Sequence, residues 1–205
     1  HLGMSGQIRI KKKDIVQKHD HMRMIVDNNN KHFVVTYNDS RRFGYIDLFK
    51  KKELREHFLL SKIGVEPLGR ELTTEYLKNN FKKRVINIKN ALIDQKIIAG
   101  IGNIYASEIL FLSKINPNKK VGLINKKNCK KIIINTRKIL SEAISKGGSS
   151  IRNFKNTSGI KGNFQNNFKV YQREGLTCKR LKCNGIIQKK FISDRSSFFC
   201  NICQK

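Results

Sequence analysis

Long apolar runs are missing from this 205-residue chain. No stretch of about 18 apolar residues occurs, so no segment is expected to span a membrane, and no signal peptide is expected. Acidic residues are scarce: 15 Asp and Glu stand against 43 Lys and Arg, a formal charge of +28. Such an excess repels itself unless a polyanion shares the surface, which points to nucleic acid. Compositional drift toward Lys, Asn and Ile accounts for some lysines, but drift would raise Asp and Glu as well. An anionic membrane would call for a long basic amphipathic helix, and none is visible. Proline occurs only at Pro67 and Pro117, both internal, where the nitrogen is an amide with no nucleophilic lone pair. Cysteine is limited to five residues, four of them between 178 and 203. That crowding reads as metal binding rather than a disulfide framework and fits a reducing compartment.

What is present is organised around residues 92–112. Two apolar segments at helical spacing flank Gly100-Ile101-Gly102-Asn103. Paired glycines permit positive φ and a sharp turn, and Asn103 is expected to cap the helix that follows. A helix N-terminus of this kind can hold a phosphate, or the element is an ordinary helical hairpin.

Residues 1–61 read as an incomplete β domain of about four strands. Gln7–Ile10, Met24–Val26 and Phe33–Tyr37 alternate or are β-branched, and Arg41–Phe49 follows a turn at Asn38-Asp39-Ser40. Residues 62–70 are a Gly- and Pro-containing linker. Helices are expected from Thr74, over Ala91–Ile98, over Ile104–Leu112, and over Lys126–Lys146. Residues 155–168 are a polar loop, either an active-site flap or a plain surface connection. The C-terminal segment carries Cys178-x4-Cys183-x16-Cys200-x2-Cys203. Two close pairs can place four sulfurs tetrahedrally around one structural Zn²⁺, whose binding would supply folding energy to a segment too short for its own core. Phe191, Phe198 and Phe199 are expected to fill the space between the pairs. Cys129 is expected to be a buried apolar residue.

Taken in order, these blocks resemble the formamidopyrimidine-DNA glycosylase family. The resemblance rests on His1-Leu2-Gly3-Met4-Ser5-Gly6, Arg41-Arg42-Phe43-Gly44, the run from Leu92 to Glu108 through Gly100-Ile101-Gly102-Asn103, Gly147-Gly148-Ser149-Ser150, Cys183-Asn184-Gly185-Ile186 and Arg195 to Gln204. It implies an α+β fold: a partial N-terminal β-sandwich (1–61), a helix–two-turn–helix domain (62–154), and a flexible loop with a C-terminal zinc-finger β-hairpin (155–205). It implies base-excision repair, in which a glycosylase removes oxidised purines such as 8-oxoguanine and formamidopyrimidines and an AP lyase activity then cuts the strand. The partner implied is double-stranded DNA containing oxidised bases, met by a monomer in the bacterial cytoplasm and nucleoid.

Residue by residue, Met4, Arg41 and Phe43 match the family's wedge, which fills the hole left by a flipped nucleotide. His19, Arg84 and Asn103 match phosphate contacts, and Lys161 lies in the loop that would cap the extruded purine. Arg195 matches the arginine of the second elimination. Bland alternatives stand beside these: core packing for Met4 and Phe43, surface roles for Arg41, His19 and Arg195. The family's N-terminal Pro-Glu and its catalytic lysine have no counterpart in this sequence. The chain is therefore expected to be a fragment that does not excise bases as written. A non-catalytic zinc-containing DNA-binding module is the alternative, and an RNA- or ribosome-associated zinc protein a more distant one.

Overall fold

The computed structural model describes residues 1–54, 56–82, 84–149, 157 and 162–205. The chain divides into two compact units: residues 1–51 with 143–166, and residues 52–142 with 167–205.

The first unit is built on a three-stranded antiparallel sheet, β1 (Gln7–Lys11), β2 (Asp20–Asn28) and β3 (Lys31–Asn38), in the order β1-β3-β2. The β2–β3 hairpin closes on Asn29 and Asn30, both at positive φ. Asn tolerates that conformation, and the resulting turn matches the twist of the strands. The interior of the sheet is polar. Buried Arg9 donates to both carboxylate oxygens of Asp20 at 2.9 and 2.8 Å and to Asp14 at 2.8 Å, and Thr36 and Asn38 complete the cluster. Charged groups out of water need pairing of this kind to be tolerated. A fourth strand was expected over Arg41–Phe49. Among the described residues that segment forms none: its first residues are drawn to Asp39 instead of a neighbouring strand.

The second unit is mainly helical. Its elements are α1 (Thr74–Phe81), α2 (Ile88–Ile93), α3 (Asn103–Ser113), most of α4 (Lys126–Ser145), and a hairpin of β4 (Ile187–Ile192) with β5 (Arg195–Cys200). Thr73 caps α1, its hydroxyl accepting from the Tyr76 amide at 3.1 Å. Leu77, Phe81, Ile88, Leu92, Ile109, Leu110, Ile132 and Ile139 are buried at helical spacing. The linker expected at 62–70 is pinned in place. Val65 bridges Ile98, the Gly64 amide donates to Gln95 at 2.7 Å, and Pro67 is buried. The helix expected over Ala91–Ile98 ends at Ile93, because Gln95 turns back to tie the glycine corner. Its side chain donates to Ile93 and Ile101 and accepts from Gly100, which sits at φ 73°.

Cys129 is buried in α4. Phe198 and Phe199 are buried, but Phe191 is 66% exposed: it shares a face with Ile187 and Phe198 yet lies at the turn end of the hairpin, beyond the apolar cluster that covers them. Most of the loop at 155–168 lies outside the described residues. Its described end forms a short turn of 3-10 helix at Phe164–Asn167, with Phe164 buried.

Candidate nucleic-acid interface

In the first unit, Met4 and Phe43 are 66% and 55% exposed. An apolar side chain placed in water by a well-fixed backbone is the feature to explain. The two sit on neighbouring turns. Gly3 is at φ 61°, and a Cβ there would lie 2.6 Å from the Phe43 carbonyl carbon, so only glycine allows the approach. The Arg41 guanidinium lies 4.8 Å from the Phe43 ring centroid and 3.8 Å from the Met4 sulfur. The structure thus brings all three expected wedge residues into one exposed cluster.

Beneath them is Asp39, fully buried. One carboxylate oxygen accepts from the Ser5 hydroxyl at 2.5 Å and the Arg41 amide at 3.3 Å; the other accepts from the Tyr37 hydroxyl at 3.0 Å and the Gly44 amide at 2.7 Å. The Ser5 bond first, then those from Gly44, Tyr37 and Arg41, hold its carboxyl well below the usual range against the opposing effect of burial. His19 is half-buried at φ 72°, and its carbonyl receives the Asp39 amide.

In the second unit, Asn103 does not cap α3. Gly102 takes that position, and Asn103 is the first helical residue. Its side chain instead donates across to the carbonyl of Ser196 at 2.9 Å. Lys89 reaches the same region: its ammonium is buried and donates to the Ser196 carbonyl at 3.0 Å and the Ser197 hydroxyl at 2.6 Å. Burial, with the charge of Arg195 second, pulls Lys89 down to about 8. Arg195, exposed at the start of β5, is therefore the immediate neighbour of the residue that Asn103 and Lys89 hold. Arg84 is exposed and paired with Asp94 at 3.0 Å. Lys161 lies outside the described residues.

The four clustered cysteines converge. All four sulfurs lie within 4.8 Å of one another, with Cys178–Cys203 at 3.8 Å and Cys183–Cys200 at 3.7 Å. A tetrahedral ion with metal–sulfur bonds of about 2.3 Å requires sulfur–sulfur edges of about 3.8 Å, whereas a disulfide requires about 2.05 Å. The donor set therefore fits a metal ion and not a pair of disulfides. Cys178, Cys200, Phe111, Val170, Ile187 and Phe198 form one apolar cluster, so the cysteine-bearing turns rest on α3. Glu108 on α3 fixes the approach to them, its carboxylate accepting from the amides of Lys169, Val170 and Tyr171.

Asp39, Lys89 and Glu108 were missed in the sequence. Each had a faint signal: an Asp in a turn, a Lys at a core position three residues before Leu92, and a Glu inside an apolar helix.

Two family models match the chain: the formamidopyrimidine-DNA glycosylase N-terminal domain over residues 1–46 and the formamidopyrimidine-DNA glycosylase H2TH domain over residues 63–155. The formamidopyrimidine-DNA glycosylase of Ruegeria pomeroyi is 41% identical over 214 aligned residues, and that of Roseobacter denitrificans 42%. In each case all of this chain aligns with 75% of the relative. The chain thus spans about three-quarters of the length of these proteins. Among solved structures, Lactococcus lactis Fpg in complex with abasic-site DNA is 33% identical with a TM-score of 0.86, covering all of this chain and 73% of that one. The MutM complex with DNA containing carbocyclic 8-oxo-G is also 33% identical, at TM-score 0.84. With about 40% identity sustained along its whole length and both domains matched, the chain belongs to the formamidopyrimidine-DNA glycosylase family.

Proposed function

We propose that this chain acts in base-excision repair of oxidised purines in duplex DNA, the family's glycosylase and AP lyase reaction, and that its own residues grip the duplex around the lesion. The observation that carries this reading is the exposed Met4–Arg41–Phe43 cluster, held from below by buried bonds. An enzyme that works on a base must take it out of the stack, and something must occupy the space left behind. Met and Phe provide apolar bulk that stacks against neighbouring bases, and Arg carries donors for the base left without a partner.

The remaining residues bind and orient. His19, Arg84 and Asn103 contact phosphates, Arg195 reaches the backbone and assists the second elimination, and Lys161 caps the extruded purine. Pro67 and Pro117 are buried and internal, so neither provides the amine that attacks the sugar carbon. Cys178, Cys183, Cys200 and Cys203 would hold one structural Zn²⁺. With four protein ligands it has no open position, so its contribution is to stiffen the turns that carry Arg195. The working form is a monomer acting on DNA in the bacterial cytoplasm.

Fluorescence anisotropy against three probes tests the reading: a duplex bearing a tetrahydrofuran abasic analogue, the undamaged duplex, and an RNA duplex. A preference of about tenfold or more for the abasic duplex is expected. Equal affinity for all three would overturn it. Borohydride trapping on an 8-oxoguanine duplex separates an enzyme, which becomes covalently linked, from a non-catalytic binding module.

A further inference from the structure

Asp39 is sealed from solvent, so it touches neither DNA nor substrate. Its four donors nevertheless come from a telling set of places. Ser5 follows Met4 directly. The Arg41 and Gly44 amides bracket Phe43. Only Tyr37 belongs to the sheet. The backbone of Asp39 is fixed too, its amide donating to His19 at 3.0 Å and its carbonyl meeting the His21 ring nitrogen at 2.8 Å.

The surroundings leave no slack for an alternative. A Cβ at Gly44 would fall 1.8 Å from the Tyr37 hydroxyl and 3.0 Å from the Asp39 carboxylate. The chemistry also demands a carboxylate. Four donors converge on two oxygens, and an ionised carboxylate is acceptor-only, with enough lone pairs for all of them. The isosteric amide of Asn would turn an N–H₂ group toward either the Ser5 and Arg41 pair or the Tyr37 and Gly44 pair, leaving a partly buried backbone donor facing a donor.

We propose that Asp39 is the positioning residue of the wedge: by tying the Met4 turn to the Arg41–Phe43 loop, it sets the geometry in which those three side chains enter the duplex, and so sets the preference for a vacated base over a paired one. This rests on the wedge reading given above. A side chain displaced by about 1 Å can cost two orders of magnitude in a positioned event, so a buried tie can control selectivity without contacting the ligand.

The test uses this chain and two probes, the tetrahydrofuran duplex and the same duplex undamaged, with anisotropy giving the ratio of affinities. Asp39→Asn is expected to lower that ratio about tenfold while affinity for the undamaged duplex changes less than about twofold. Ser5→Ala, which removes both the hydroxyl bond to Asp39 and the acceptor of the Arg41 amide at 3.1 Å, is expected to lower it about threefold. The decisive readout is a double-mutant cycle. If Asp39 acts through the wedge, D39N on a Phe43→Ala background removes nothing more. A D39N protein that keeps the wild-type ratio, or losses from D39N and F43A that multiply, would overturn the inference while leaving the proposed function standing. A wild-type ratio near one overturns both. Should D39N lose the exchange protection of β1–β3, the cycle of S5A with Met4→Ala decides by the same criterion.

Discussion

The side-chain amide of Asn103 and the ammonium of Lys89 meet on one acceptor, the carbonyl oxygen of Ser196, at 2.9 and 3.0 Å. The start of α3, the start of α2 and the β4–β5 hairpin are joined at that single atom. Lys89 is the costly member, since it is buried without a carboxylate beside it. Its folded-state pKa lies near 8, below the ordinary 10.5. The unfolded chain therefore holds that proton more tightly between those values, and stability rises with pH across the window. Lys89→Met is expected to flatten this rise and to cost about 1 kcal/mol in lost hydrogen bonds. Urea unfolding at pH 7.5 and at about pH 10, followed by the near-ultraviolet signal of the tyrosines, measures both effects.

Binding to DNA is expected to fall steeply with salt, because each neutralised phosphate releases counterions. Arg195→Ala should lower the slope of log K against log salt by about 0.9 and weaken undamaged and abasic duplexes alike. Arg84 is already engaged with Asp94, so Arg84→Ala should change the slope less. Asp94→Asn, which frees that arginine, should tighten binding at low salt. Titrations by anisotropy at several salt concentrations check all three.

Acid is expected to loosen the first unit. The hydrogen bond from Arg9 holds Asp20 well below the ordinary carboxylate range, and Ser5 and its companions do the same for Asp39. Both values are depressed on folding, so the stabilisation is present above about pH 4 and is lost as pH falls toward the folded-state values. The exchange protection of residues 7–38, taken relative to the intrinsic rate at each pH, should fall between about pH 4 and pH 2. Asp20→Asn should be less protected at neutral pH and show a shallower acid dependence.

Removal of metal should unfold the C-terminal turns selectively. The β4–β5 hairpin has only two strands, too few for independent stability, and its apolar side is completed by Cys178 and Cys200. One equivalent of zinc per chain is expected by elemental analysis. A strong chelator should abolish exchange protection over 187–200 and lower DNA affinity, while α1 and α4 stay protected. Chelation without effect on the hairpin would contradict a structural role.

The reach of the sequence varied with the kind of interaction. Helices came through where apolar periodicity was strong, as in α3 and α4, and the β2–β3 hairpin where Asn29-Asn30 made the turn. The cysteines were legible because ligand spacing is itself local. Readings failed where a distant group decided a local outcome. Asn103 has the chemistry of a cap, but Ser196 lies 93 residues away and claims its side chain. The segment at 41–49 has strand-like composition, yet Asp39 draws its amides into a loop. Phe191 counted as core on composition alone, but it stands at the turn end of its hairpin, past the cluster that buries Ile187 and Phe198. Buried polar residues were hardest to see, since burial is a property of the whole fold and not of the residue.

Glu108 has a consequence for how the molecule is made. Its carboxylate collects the three amides that lead into the cysteine turns, 61 to 63 residues further along the chain. Synthesis runs from the N-terminus, so α3 has already left the ribosome when those amides emerge. The last segment, which cannot build a core alone, therefore arrives when α3 can already receive it, and the same three amides bring its thiols together ahead of any ion they would hold.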